Sequence, residues 1–131
     1  AGCLIPRFGP FAFDAAVAEG DLGPIFTRPP VKKDIIWLVK KYKNLYTTVF
    51  AELRSVVRPG GRVVLALPRW IAKDGQETGL GIRPWLRLMG YREVQLFEGF
   101  ERLVPESWSE GPMVYHRPGQ RTAREIYCFE T

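Results

Sequence analysis

With 131 residues, 46% of them hydrophobic and 25% charged, the chain has the composition of one globular domain and is too short for two. No apolar run is long enough to span a bilayer and no basic-then-apolar signal stands at the start, so we expect a cytoplasmic protein with no membrane association. Nineteen Lys and Arg against 14 Asp and Glu give a formal charge of +5, which suits a polyanionic partner such as RNA as well as it suits a mildly basic protein.

Residues 1 to 11 are rich in Gly and Pro and read as irregular. The chain opens Ala-Gly-Cys without Met, which suggests a processed chain or the C-terminal part of something longer. Residues 12 to 18 are a short apolar run suited to a buried strand. That strand ends in "AEGDLGP", with Glu19 and Asp21 around Gly20 and a close on Gly23-Pro24. Such an ending is either a solvated turn or a strand-end site. "GPIFTRPPVKKD" follows as a loop, because Pro29-Pro30 forbids regular pairing.

"KKDIIWLVKKYKNLYTTVFAELRSVVRPGG" is the clearest helix. Asp34 is a cap or a first-turn acid. Ile35, Leu38, Tyr42, Leu45, Val49, Leu53 and Val56 form one apolar stripe, and Pro59-Gly60-Gly61 ends the helix. Trp37 reads as packing. Lys32, Lys33, Lys40, Lys41 and Lys43 read as a solvated face that could also meet phosphates.

"RVVLALP" is apolar on both sides, as in a strand covered on both faces of a sheet. "RWIAKDGQETGLG" reads as a loop, and "LGIRPWLRLMGY" as a short helix from Pro84 to Gly90. "REVQLFEGF" reads as a strand, and residues 101 to 111 as a loop with an exposed Trp108. "MVYHR", "PGQRT" and "AREIYCFE" read as two strands around a turn. His116 is the single histidine and sits on a strand surface. Arg117, Arg121 and Arg124 form a second basic cluster. Cys3 and Cys128 lie at opposite ends without metal-ligand spacing, so we expect free thiols and no metal, with a bridge between them as the alternative.

Alternating strands and helices predict an α/β sheet, mostly parallel with an antiparallel end. Ligands in such sheets sit beyond the carboxyl ends of the strands. Glu19 and Asp21 fall at that edge, as do Pro68, Arg69 and Trp70 after the second strand.

Against this background "LRSVVRPGGRVVLALP" resembles the helix, Pro-Gly-Gly turn and fifth strand of class I S-adenosylmethionine-dependent methyltransferases. "FDAAVAEGDLGP" falls where those enzymes carry their fourth strand and catalytic loop. It is similar to the Glu-Pro-Tyr-Leu-Gly variant of the RNA methylase family that includes the THUMP-associated tRNA guanine methyltransferases. "VYHRPGQRTAREIYCFE" resembles the closing segment of that family.

The resemblance implies a Rossmann-like sheet from the fourth strand to the last. Residues 1–131 would be the C-terminal part of a methyltransferase catalytic domain. The implied reaction is S-adenosylmethionine-dependent methyl transfer to RNA, with tRNA and the exocyclic amine of guanine as target. Glu19 would accept a hydrogen bond from that amine, Gly20 would offer its carbonyl, and Asp21 stands where the family has a base-stacking aromatic. Leu22, Gly23, Pro24, Pro68, Arg69 and Trp70 would face the substrate.

Two departures from the family pattern stand out. Gly20 and Asp21 replace its Pro and aromatic residue. Its glycine-rich cofactor loop has no counterpart upstream of residue 12, and "GLG" at 79 to 81 follows a polar loop. The cofactor would therefore need the missing N-terminal half, from a missing N-terminal segment or from a separate, complementary chain, and a homo-oligomer is the other arrangement expected. The rival function is a non-catalytic module, derived from a methyltransferase, that binds RNA or another subunit. A third reading is an unrelated α/β fold with a chance Pro-Gly-Gly turn.

Overall fold

A computed structural model of the chain describes residues 4–109 and 111–131. Cys3 lies outside them, and with it the alternative of a Cys3–Cys128 bridge. Helix α1 (Ile5–Phe8) precedes strand β1 (Phe13–Glu19), helix α2 (Lys32–Val56) and the long strand β2 (Val57–Ile71). Strand β3 (Glu77–Gly79), helix α3 (Arg83–Leu88) and strand β4 (Arg92–Val94) follow. A 3-10 turn (Glu101–Leu103), helix α4 (Glu106–Ser109), strand β5 (Met113–Tyr115) and strand β6 (Thr122–Glu130) complete the order.

The sheet runs β1-β2-β6-β4, with β3 beside β2 and β5 beside β6. Its pairing corrects the expectation of a mostly parallel sheet. Among the described residues only β1 and β2 pair parallel, while the pairs of β2 with β3 and β6, and of β6 with β4 and β5, are antiparallel. The cause is the insertion of β6. It runs against both β2 and β4, so those two point the same way while the return strand lies between them.

Several local expectations change. Residues 5–8 are helical, where the Gly and Pro content reads as irregular, and the Leu4 amide donates to Glu52 at 2.7 Å. The buried stripe of α2 is Ile35, Leu38, Tyr42, Tyr46, Phe50 and Val56. Leu45 is exposed, since a 3.6-residue repeat carries the stripe from Tyr42 to Tyr46. Trp37 is 60% exposed, with the Lys41 ammonium 5.2 Å from its ring centre. Asp34 is a first-turn acid, and no side chain caps the helix.

Pro59-Gly60-Gly61 does not end α2, which stops at Val56. It forms a bulge within β2. Phe13 pairs with Val57 but Ala15 pairs with Arg62, so extra residues loop out of β2 there. Gly60 adopts φ +74°, and a Cβ on Gly61 would lie 2.6 Å from the Asp14 carbonyl. The segment read as the loop "RWIAKDGQETGLG" is a hairpin, with Arg69 to Ile71 pairing Gly79 to Glu77. β4 keeps only three residues of its expected nine. Trp108 is half-buried and stacks on Phe97 at 6.0 Å between ring centres.

Along a strand, successive side chains point to opposite faces, and paired neighbours share a face. On one face Val63, Leu65, Leu67, Tyr127 and Phe129 are buried. Phe50 of α2 packs edge-on against Phe129 at 5.6 Å, and Arg83 of α3 lies 5.2 Å from the ring centre of Tyr127. Both longer helices thus reach that face. On the other, Val17, Val64, Cys128 and Val94 form one row across four strands. Val17 is 77% exposed, and the other three are half-buried.

The sequence predicts a buried β1. The strand forms, but it lies at the sheet edge, and apart from Ala16 its residues are exposed. An apolar run sets a strand but not the number of its neighbours.

Candidate functional site

Glu19 ends β1, and the chain then turns through residues 20–24. Three aromatic side chains fix that turn. The Tyr46 hydroxyl donates to the Asp21 carbonyl at 3.0 Å. The Tyr42 hydroxyl donates to Asp21 Oδ2 at 2.9 Å, and Asp21 Oδ1 accepts the Gly23 amide at 2.9 Å. The Trp70 indole N–H donates to the Leu22 carbonyl at 3.2 Å. Gly23 holds φ +97° beside that indole, which a side chain at 23 would crowd.

Burial and the Asp21 carboxylate suppress ionisation of both phenols. Tyr42 is pushed up to about 12, by burial first and then by its bond to Asp21. Tyr46 is pushed beyond the ordinary phenol range by burial and then by the charge of Asp21. Asp21 is thus a tie between the loop and α2.

Glu19 faces Arg124 of β6, whose Nε and terminal nitrogen donate to the two carboxylate oxygens at 2.5 and 3.3 Å. The pair spans 105 residues of sequence. The bond to Glu19 raises the Arg124 pKa. A carboxylate offers about four lone-pair sites, so two such bonds leave acceptor capacity. The Glu19 side chain is 48% exposed, which leaves that capacity within reach of a ligand.

Beside this pair opens a cleft of about 290 Å³. Leu22, Gly23 and Pro24 line one wall, and Gln120 and Arg121 from the β5–β6 turn, with Thr122 at the start of β6, line the other. Ile25, 96% exposed, stands at its lip. Three of the residues expected at the substrate therefore meet at one cleft, with Glu19 joined to it through Arg124.

Pro68, Arg69 and Trp70 do not line that cleft, and all three lie within β2 rather than after it. Pro68 is buried and pairs with Arg124. Trp70 is fully buried beneath the 20–24 turn. Arg69 is turned to Glu77 and Glu125, at 3.1 and 3.3 Å. Glu125, 6% exposed, also accepts from the Tyr127 hydroxyl at 3.1 Å, and burial pushes its pKa up. A Cβ on Gly79 would lie 2.5 Å from Glu125 Oε2. The first glycine of "GLG" thus makes room for a buried carboxylate.

Arg124, Tyr42 and Tyr46 are the site residues that sequence reasoning misses in these roles. The helical stripe accounts for Tyr42 as packing alone, and composition places Arg124 in a basic cluster. Two tyrosines at i and i+4 on one buried stripe are the available signal, since a buried phenol needs a partner. His116 is exposed, with Nε2 2.8 Å from the Gln120 carbonyl. Among the described residues no group of three His, Cys, Asp or Glu could hold a metal, and no helix is long and apolar enough to cross a membrane.

No protein-family model matches the chain, and no curated protein matches it. A solved structure does. It is the crystal structure of a candidate DNA modification methylase from Thermus thermophilus, complexed with S-adenosyl-L-methionine. The two chains are 14% identical and superpose with a TM-score of 0.50. The match covers 98% of this chain and 51% of that one, so this chain spans about half the length of the methylase. Similarity at this level shows the fold alone, a mixed α/β sheet of methyltransferase type.

Proposed function

We propose that this chain carries the substrate-facing edge of an S-adenosylmethionine-dependent methyltransferase domain. The substrate is RNA, with tRNA and the exocyclic amine of guanine as the favoured target. One observation carries the proposal: Glu19 stands at the carboxyl end of β1, held by Arg124 beside an open cleft and with acceptor capacity to spare.

In this proposal the Glu19 carboxylate accepts hydrogen bonds from the target amine and aims its nitrogen lone pair. Arg124 fixes the carboxylate, so little orientational freedom is lost when the amine arrives. The 20–24 turn is already held by Tyr42, Tyr46 and Trp70, so the cleft wall is set before substrate binds. Arg121 at the cleft and the net charge of +5 suit a nucleic-acid backbone.

The residues present do not fit a complete cofactor site. Gly79 is taken up by Glu125, and among the described residues the other edge of β1 has no strand beside it. The chemistry of the methyl donor therefore rests on groups outside these residues.

The test is transfer of labelled methyl from S-adenosylmethionine to unmodified tRNA and to duplex DNA. It uses the protein in the polypeptide or complex in which it occurs, followed by nucleoside analysis. Methylated guanosine that falls sharply with Glu19→Gln supports the proposal. Label in DNA alone replaces the substrate class. No label in either favours the second reading, a non-catalytic module. The observation behind that reading is that Glu19 and Asp21 both already have partners inside the chain.

A further inference from the structure

Five of the chain's six lysines fall within residues 32–43, on the first half of α2. The sixth, Lys73, joins them from the turn between β2 and β3. Its amide donates to the Pro30 carbonyl at 3.1 Å, and it lines one shallow depression with Lys32. Asp34 and Asp74 are the acids along these segments, so six lysines less two acids place +4 of the formal +5 in one region. Among the described residues every ion pair uses an arginine and none uses a lysine. Lys32 and Lys33 stand in the first turn of α2, where the helix dipole disfavours cations. The cluster therefore opposes both itself and the helix end, and an anion relieves both.

Trp37 stands in the middle of this charge. At about 100° per residue, Lys33, Trp37, Lys40 and Asn44 fall within about 40° of the direction opposite Ile35, which lies on the buried stripe. That direction points away from the sheet, so a layer added beside α2 or along the sheet edge leaves it open. Trp37 is 60% exposed, with the Lys41 ammonium 5.2 Å from its ring centre. Solvation accounts for lysines on such a face, but not for a large apolar ring set among them. Tyr42, five residues further on, bonds Asp21 just past the end of β1. The Trp37 turn therefore lies at the carboxyl end of β1, the end where the cleft opens.

We infer that Trp37, with Lys33, Lys40 and Lys41, is a binding platform for single-stranded RNA outside the cleft. A base stacks on the open face of the indole, and the lysines hold the phosphates on either side. Stacking tolerates any base, so the platform adds affinity to a strand without reading its sequence. A lipid surface fits less well. A helix lying on a membrane needs a broad apolar face in the open, and that of α2 is packed on the sheet. The choice of RNA over DNA rests on the function proposed above. The platform itself rests on the charge and the indole.

The experiment measures fluorescence anisotropy of a labelled, mixed-sequence single-stranded RNA of about 12 nucleotides. It uses the protein in the polypeptide or complex in which it occurs. Trp37→Ala should weaken binding about tenfold, and Trp37→Phe should keep most of the affinity, because a phenyl ring also stacks. The combined variant Lys33→Gln, Lys40→Gln and Lys41→Gln should lower the slope of log affinity against log salt by about 2. All these side chains are exposed, so the melting temperature should not change. The same RNA carrying 5-iodouridine, irradiated on the protein, should crosslink to the peptide that contains Trp37.

Equal affinity for RNA in the unaltered protein and both the Trp37→Ala and the lysine variants overturns the inference. So does tighter binding of single-stranded DNA of the same sequence. Loss confined to vesicles of phosphatidylglycerol and phosphatidylcholine, with RNA binding intact, replaces the partner and overturns it as well. The expected losses in RNA binding, in a protein that transfers no methyl group to any nucleic acid, sink the proposed activity and leave the platform standing.

Discussion

A Cβ placed on Gly20 would lie 2.6 Å from the Tyr46 hydroxyl oxygen. Position 20 is therefore a glycine because a tyrosine of α2 stands against it, and that tyrosine bonds the very next carbonyl. Neither a proline nor any other side chain can be accommodated there unless Tyr46 moves. Gly20→Ala should cost about 1–3 kcal/mol through overpacking. Tyr46→Phe alone should cost about 1 kcal/mol for the lost bond to Asp21. The double variant should lose less than the sum, because removing the hydroxyl frees part of the space. Thermal or denaturant unfolding of the four proteins measures this coupling.

Asp21 ties the loop to Tyr42, which gives a prediction at alkaline pH. The folded pKa of Tyr42, about 12, exceeds its ordinary value of 10.0, so the native state holds its proton longer than the unfolded chain. That contribution to stability is full below pH 10 and is lost as pH rises through about 12. Asp21→Ala removes two of the three causes and leaves burial, so Tyr42 should ionise earlier. Phenolate absorbance against pH checks the shift. Unfolding at neutral pH should show a loss of about 1–3 kcal/mol, since the buried Tyr42 hydroxyl loses its partner.

Glu19→Gln separates stability from function. The pair with Arg124 is partly exposed, so its loss should change stability by no more than about 1 kcal/mol. If Glu19 positions the amine, methyl transfer should fall by about 10²-fold or more at unchanged fold. Circular dichroism and single-turnover transfer on the same preparation distinguish the two.

Glu125 should give the protein an acid-side signature. Burial raises its pKa above 4.5, so the native state binds a proton that the unfolded chain releases. Its contribution to stability is greatest below pH 4.5 and declines as pH rises through the raised folded value. Glu125→Gln should remove that decline. The check is the pH dependence of unfolding free energy for both proteins, starting just below 4.5.

What the sequence shows and hides follows distance along the chain. β1, the α2 stripe and the β5–β6 hairpin are legible because each rests on a local repeat. The step from Tyr42 to Tyr46 rather than Leu45 needs only the helical period, and a stripe drawn through Leu45 misses it by one residue. The bulge at Gly60 and Gly61 is hidden because glycines after a helix equally suit a stop. The Glu19–Arg124 pair lies beyond any local pattern, since it depends on β6 returning between β2 and β4. The cleft residues Leu22, Gly23 and Pro24 are reached only through resemblance. Pro68 and Trp70 fall in the wrong place because β2 runs longer than its apolar core.

The position of β6 also bears on how the protein is made. Here residues 122–130 form an inner strand, and Thr131 closes the bulge by exchanging backbone hydrogen bonds with Gly60 and Gly61. During synthesis, β2 lacks the strand it pairs with over Arg62–Trp70 until β6 has left the ribosome. A premature stop or a nick near Arg121 would remove the middle of the sheet rather than its margin. Quality control by chaperones and proteases should then clear such products as unfolded chains.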